Sequence, residues 1–350
     1  MTDWRLVTPT HRSVAAGRPV AVLAWLGRQG TRVVAALVVV GIAFPPLGAV
    51  LQPYVTEAVF VLLCLAFLRI DAAALRGYLQ RPALVFGATA WTSIVIPLLF
   101  AASCLPFGLD HQAPDLFLGL MLQGIASPMM AAPALAALLG LDATLVLVTL
   151  IASTALVPLT APLFAALFLG PALALSPVAL GTKLLGLLAG SALVGLSLRR
   201  LAGVPAILRH RAPLDGVNVL VLFVFVAAVM HGVAARVIAA PLATLGLAGL
   251  AFGVFFGLLF LTTLVFRGAG RERALALGFL SAQRNLGLML AATGGAVPAL
   301  TWLYIALAQF PIYLSPHLLR PLARRTLARW AGRTGLQTWP APPESGPVVK

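Results

Sequence analysis

Four polar side chains lie together within a long apolar run near the C-terminal end of the chain: Ser281, Gln283, Arg284 and Asn285. The run extends from about residue 272 to residue 295. A helix rises about 1.5 Å per residue, so Arg284 would lie near the midplane of a hydrocarbon core about 30 Å thick. A guanidinium at that depth costs about 3 kcal/mol or more unless it faces protein or water. The cluster therefore predicts a binding site inside a membrane protein.

The composition supports that class. Of the 350 residues, 61% are hydrophobic and 9% are charged, whereas a soluble globular domain carries about 25% charged residues. The two cysteines, Cys64 and Cys104, fall near opposite ends of neighbouring apolar segments and form neither a disulfide framework nor a metal-ligand cluster. We expect no cofactor and no resident metal.

Ten apolar segments are candidates to cross the bilayer, which takes about 20 helical residues. The predicted spans are 33–51, 55–69, 82–105, 115–139, 143–169, 177–198, 217–239, 243–266, 272–295 and 297–319. With the N-terminus inside, 21 of the 24 Lys and Arg residues fall on one side. This positive-inside distribution predicts a multi-pass protein of a bacterial inner membrane with both termini in the cytoplasm. It also attributes the net charge of +15 to topology rather than to nucleic-acid binding.

Ten spans divide into two halves of five, and an odd number of spans per half gives inverted topology. The predicted organisation is a cytoplasmic or interfacial segment (1–31), a first five-helix repeat (32–170), a second five-helix repeat (171–320) and a basic, partly disordered cytoplasmic tail (321–350). Two connectors on the inner side, 71–80 and 201–210, mix apolar and basic residues as interfacial amphipathic helices do.

The fourth span, which corresponds to the ninth, is also interrupted. Ser127-Pro128 predicts the start of a new helix, because Ser is a favoured N-cap and Pro a favoured first residue. Paired broken helices mark the substrate site of many transporters, and the N-termini of half-helices favour anions. The candidate site therefore takes in Ser127 and Gln123 of the fourth span and Thr92 and Ser93 of the third.

Two structural alternatives remain open at this stage. Arg284 could instead brace the carbonyl end of the fourth span, in which case its charge would hold two helices together. Thr92 and Ser93 could bond back to carbonyls of their own helix instead of lining a cavity.

The chain resembles the bile acid:sodium symporter family across essentially all ten spans. The likeness is carried by the Ser127-Pro128 break with the following residues 133–142, and by the run 283–288. The resemblance implies two inverted five-helix repeats in which helices 4 and 9 unwind and cross. It also implies a panel domain (helices 1, 2, 6 and 7), a core domain (helices 3–5 and 8–10), and transport of organic anions by movement of one domain against the other.

The chain departs from the sodium-coupled members of that family at two positions. Those members carry a Glu five residues before the ninth-span Asn and a Gln directly before it, where this chain has Leu280 and Arg284. A fixed guanidinium would repel sodium. We therefore expect an alternating-access transporter of a small organic anion that is not coupled to sodium. If sodium is used, Ser127, Gln123 and Asn285 are the expected ligands.

Other functions are weighed against this one. A sodium-coupled symporter for bile-acid-type anions and a non-transporting sensor or scaffold on the same fold both remain alternatives. A permease of the arsenite type would require a Cys at the fourth-span break, where this chain has Met129 and Met130. An enzyme is not expected, since no mid-span nucleophile, base and acid share one depth. The expected partners are the anion and the lipid bilayer.

Overall fold

The computed structural model describes residues 20–26, 44–69 and 82–334. Within these ranges the regular elements are helices, and a single isolated bridge between Pro128 and Arg284 is the one extended pairing. Six helices in these ranges are long and apolar enough to cross a membrane. The described part of the chain is therefore all-helical, and the chain is a multi-pass membrane protein.

We number the main helices in chain order. They are α1 (Pro46–Leu68), α2 (Pro82–Phe107), α3 (Pro114–Ile125), α4 (Ala132–Leu138), α5 (Ala143–Leu169), α6 (Pro177–Ala202), α7 (Arg211–Ala239), α8 (Pro241–Ala269), α9 (Arg271–Ala282), α10 (Leu286–Ala292) and α11 (Ala299–Thr334). Several of them begin with proline. A proline is tolerated in the first turn because the N–H that it lacks would have had no partner there.

The predicted spans 82–105, 143–169, 177–198, 217–239 and 243–266 coincide with α2, α5, α6, α7 and α8. The fourth span is divided into α3 and α4, and the ninth into α9 and α10. The tenth is α11, which continues through three internal prolines to Thr334. Residues 1–19, 71–80 and 335–350, for which an N-terminal segment, a connector and the end of the tail were predicted, lie outside the described residues.

The predicted boundary between the first two spans is wrong. The second span was expected to begin at residue 55, but α1 is a continuous helix of 23 residues that begins at Pro46. Gln52–Tyr54, which the prediction placed between two helices, is a 3-10 turn within α1. The start signal is the Pro45-Pro46 pair, whose position in the first turn is favoured. Residues 33–43 of the first predicted span lie outside the described ranges.

Two helices, α1 and α5, each pack against several others. α1 contacts α6, α7 and α10, whereas α5 contacts α2, α4, α6 and α9. α1 and α6 run in the same direction, because Gly190 lies near Phe60 and Gly195 near Phe67. α7 runs antiparallel to α1, and a 2.8 Å ion pair between Arg69 and Asp215 joins the end of one to the start of the other.

Gly195 allows α1 and α6 to approach closely. A Cβ at this position would lie 2.6 Å from the Cys64 carbonyl oxygen and 2.8 Å from the Phe67 Cβ, whereas a Cβ at Gly186 on the same helix would meet nothing within 4 Å. Overpacking typically costs about 1–3 kcal/mol. We expect Gly195→Val to lower the melting temperature of the purified protein clearly and Gly186→Val to leave it nearly unchanged. Equal melting curves for the two variants would contradict this packing.

Candidate functional site

The two interrupted helices meet at their breaks. α3 ends at Ile125 and α9 ends at Ala282, and the backbone after each helix is extended for a few residues. The two extended segments pair antiparallel: the Met129 amide donates to the Gln283 carbonyl at 2.6 Å, and the Asn285 amide donates to the Ser127 carbonyl at 2.8 Å. The predicted interruptions are therefore present, and each break satisfies backbone groups of the other. The expected helix start at Ser127-Pro128 is wrong, because these two residues belong to the paired extended segment and α4 begins at Ala132, with Pro133 in its first turn.

Asn285 also begins the next half-helix. Its side-chain oxygen accepts a hydrogen bond from the Leu288 amide at 3.0 Å, which makes it the N-cap of α10. The Asn285 side-chain amide nitrogen is not used by this cap. Asn285 thus fixes the start of α10 and keeps two donor hydrogens for another partner.

Arg284 is 1% exposed and spans the crossing. Its Nε donates to the Gln123 carbonyl at 3.1 Å, and Nη2 donates to the Gly124 carbonyl. Both carbonyls belong to the last turn of α3, where helix carbonyls lack intrahelical partners and the helix dipole is negative. The geometry is that of a brace, the alternative that the sequence left open. Among the described ion pairs none involves Arg284, so its charge is met by carbonyl dipoles alone.

The third partner of Arg284 is the Thr92 carbonyl, which lies 3.4 Å from both Nη1 and Nη2. Trp91–Val95 forms a π-helical turn within α2. Such turns change which carbonyls the helix itself uses and often occur at functional sites. The Thr92 hydroxyl bonds to the Ala88 and Thr89 carbonyls at 3.0 Å and to the Ser153 hydroxyl at 2.6 Å. Thr92 therefore contributes its backbone carbonyl to the binding of Arg284, a role that the sequence did not indicate.

A cavity of about 450 Å³ lies against this crossing. Its walls are mainly apolar and come from α1, α5 and α7, for example Val59, Leu150 and Phe225. The two breaks form another wall through Met129, Met130, Arg284 and Asn285. The remaining polar lining consists of Arg69, Asn218, Gln309 and Tyr313.

The predicted site residues divide between the cavity and its surroundings. Arg284 and Asn285 line it, whereas the other six do not: Ser281, Gln283, Ser127, Gln123, Thr92 and Ser93. The Gln283 side chain turns to α11, where its Nε2 donates to the Ser315 hydroxyl at 2.6 Å. The Gln123 side-chain oxygen accepts from the Tyr304 hydroxyl. Six of the eight candidates thus belong to the packing behind the cavity wall.

The side-chain oxygens expected to hold sodium, if sodium is used, are largely engaged elsewhere. The Gln123 oxygen accepts from Tyr304, and the Asn285 oxygen accepts from the Leu288 amide. The Ser127 hydroxyl is buried and makes no hydrogen bond within the described part of the chain. In the same ranges, no three His, Cys, Asp or Glu side chains lie close enough to hold a metal ion.

Four polar residues of the cavity were missed by the sequence interpretation: Arg69, Asn218, Gln309 and Tyr313. Gln309 and Tyr313 are four residues apart on α11 and therefore share a helix face, a signal that the sequence did contain. Asn218 stands alone near the start of α7. Arg69 was counted among the basic residues of the positive-inside distribution and was not considered as a cavity residue. An isolated polar residue at the end of a span does not by itself indicate a cavity.

Comparison with known proteins does not assign the chain to a family. A scan against models of known protein families matches none of them, and no curated protein matches the chain.

Proposed function

We propose that the protein is a transporter that moves a small organic anion across the membrane by alternating access and without sodium. The observation that carries the proposal is Arg284, a fully buried cation at the crossing of two broken helices, against a cavity large enough for a small metabolite. Crossing broken helices at a cavity are the arrangement in which transporters bind their substrates. Ten helices in two inverted repeats, as in the bile acid:sodium symporter family, are part of the proposal.

The positions of the helices support an internal duplication. α1, α2, α3 and α5 begin at residues 46, 82, 114 and 143, and α7, α8, α9 and α11 begin at 211, 241, 271 and 299. The corresponding separations are 165, 159, 157 and 156 residues. The equivalent helices α1 and α7 run in opposite directions, and the two breaks pair antiparallel, as inverted repeats require.

The charge of Arg284 decides the sign of the substrate. A unit charge about 4 Å from a like charge is repelled by roughly 4 kcal/mol at an effective dielectric constant of 20. That energy corresponds to about a thousandfold change in binding affinity. A carboxylate in the cavity is attracted by the same interaction, while sodium is disfavoured. Arg284 thus supplies permanently the positive charge that a bound sodium ion supplies in the sodium-coupled relatives of the proposed family.

The lining of the cavity suits binding rather than chemical conversion. Its described residues include no Asp, Glu, His, Cys or Ser that could serve as base or nucleophile. The apolar walls would hold the body of an organic anion, and Asn285, Gln309 and Tyr313 would orient its polar groups. In the proposed orientation, the end of α1 at Arg69 lies on the cytoplasmic side of a bacterial inner membrane.

The test is uptake of a labelled carboxylate into proteoliposomes with sodium replaced by choline at constant ionic strength. The carboxylate is first chosen by its ability to raise the melting temperature of the purified protein. We expect the initial rates with and without sodium to agree within about twofold, because no mobile cation is needed beside Arg284. Protein-free liposomes serve as the control.

Two outcomes would contradict the proposal in different ways. A loss of tenfold or more without sodium would favour a sodium-coupled symporter. A carboxylate that raises the melting temperature yet is never taken up would favour a non-transporting sensor or scaffold on the same fold.

A further inference from the structure

We propose that the connection between α6 and α7, residues 199–211, is a binding site for the headgroups of anionic phospholipids in the adjacent leaflet. We call this connection the elbow. It goes beyond the transport proposal and does not depend on it, since it requires only that the chain spans a membrane.

The backbone of the elbow leaves the direction of α6 at a glycine. Gly203 has a φ of +78°, which favours a residue without a side chain, and a short helix, Val204–Arg209, follows before α7 begins at Arg211. This helix packs on α6. The elbow is therefore a formed, helical connection at one end of two membrane-spanning helices.

Three large apolar side chains of the elbow face outward. Leu201 is 85% exposed, Leu208 is 65% exposed and Val204 is 45% exposed. At the end of a membrane-spanning helix, such side chains are stabilised by contact with lipid acyl chains and would be costly to hydrate. They provide the apolar half of an interfacial surface.

Basic side chains provide the other half. Arg200, Arg209 and Arg211 are exposed, and the Arg211 side chain is 80% exposed. Asp215 is the only acidic residue between residues 143 and 271, and it is engaged by Arg69 at 2.8 Å, with Arg211 Nε at 3.9 Å. The three arginines thus keep an excess of positive charge. Guanidinium groups bind phosphate oxygens through paired N–H donors.

The apolar side chains of this short connection lie between basic side chains at its two ends, so one amphiphilic molecule can contact both. An anionic phospholipid does so, because its acyl chains contact the leucines and its phosphate contacts the arginines. A free phosphate ion would satisfy the arginines but leave the leucines in water. The elbow therefore fits a lipid rather than a soluble anion.

The test measures lipid binding directly. The purified full-length protein in a neutral detergent is titrated with dioleoyl-phosphatidylglycerol and, separately, with dioleoyl-phosphatidylcholine, and bound lipid is counted by native mass spectrometry. We expect the phosphatidylglycerol to bind preferentially. Replacing Arg200, Arg209 and Arg211 together by Gln should weaken its binding on the order of a hundredfold, at about fivefold per arginine.

A matched variant separates a specific site from general attraction to positive charge. Arg267, Arg271 and Arg273, at the connection between α8 and α9, are also replaced together by Gln. This control removes the same number of charges from a connection that has no large apolar side chain between its arginines and that contains Glu272. Without an apolar surface for the acyl chains, we expect the control to change phosphatidylglycerol binding by less than about threefold. Equal losses in the two triple variants would overturn the proposal, as would equal binding of the two lipids.

The apolar half is tested with Leu201→Ser combined with Leu208→Ser. This variant should also weaken phosphatidylglycerol binding, although all its arginines remain. Full displacement of the lipid by inorganic phosphate, or unchanged binding in the leucine variant, would show an anion site instead and would overturn the proposal. Melting temperatures check that each variant is folded. Transport is not the readout, so failure here would leave the transport proposal untouched.

Discussion

Replacing Arg284 by Gln should lower the affinity for a carboxylate ligand by roughly a hundredfold or more. The substitution removes a buried charge that lines the cavity and has no carboxylate partner among the described residues. The attraction between the Arg284 guanidinium and the ligand carboxylate is up to about 4 kcal/mol at a separation of about 4 Å and an effective dielectric constant of 20. Ligand-dependent changes in melting temperature, and uptake into proteoliposomes, both measure the loss.

The same substitution should also destabilise the crossing. Gln123, Gly124 and Thr92 would each be left with a buried carbonyl that has lost its donor from Arg284. An unsatisfied buried polar group costs about 1–3 kcal/mol. We therefore expect the melting temperature to fall even without ligand, which means that loss of transport alone would not separate the charge from the brace.

Arg284→Lys is the matched control that separates them. Lysine keeps the positive charge but lacks the planar fork that reaches several carbonyls at once. We expect this variant to lose stability as the Gln variant does, yet to keep its carboxylate affinity within about tenfold of the parent. If the Gln variant binds the carboxylate as well as the parent does, Arg284 acts only as a brace and the anion must be recognised elsewhere.

Gly287→Val should reduce the initial rate of uptake by about tenfold or more. Gly287 lines the cavity on α10, and a Cβ there would lie 2.9 Å from Phe225 Cζ and 3.5 Å from Val59 Cγ2. A larger side chain would narrow the cavity and press α10 against α1 and α7. Because the valine side chain would occupy space through which the anion passes, the barrier to transport should rise, and a rise of about 1.4 kcal/mol lowers a rate tenfold.

The control for Gly287→Val is Gly249→Val on α8, where an added Cβ would meet nothing within 4 Å. It makes the same chemical change in a helix away from the cavity, and we expect its uptake to match the parent. Both variants are compared at equal amounts of folded protein, as judged by melting temperature and size-exclusion profile. Uptake by Gly287→Val within about twofold of the parent would show that this contact does not limit transport.

The sequence by itself determined the class of the protein and most of its helices. Long apolar segments must become helices in a bilayer, because only a helix pairs all backbone N–H and C=O groups within a single segment. α2 and α5 to α8 were therefore predictable. The interruption of the fourth span was predictable as well, because Pro128 and Pro133 fall inside the apolar run. The exact helix start was not predictable: it lies at Ala132, with Pro133 in the first turn, rather than at Pro128. The need to shield Arg284 from lipid followed from its charge alone.

Only the tertiary structure decided what Arg284 contacts and which faces enclose the cavity. The donors of Arg284 point to Gln123, Gly124 and Thr92, residues 160 to 192 positions away in the sequence. A helix that is apolar on all sides carries no periodic signal for the side that faces protein. Gln309 and Tyr313 do share one face of α11, but only the packing of α11 against the crossing showed that this face lines the cavity. The start of α1 was likewise known only from the structure, because both Pro46 and Pro53 are plausible first-turn residues and hydropathy does not choose between them.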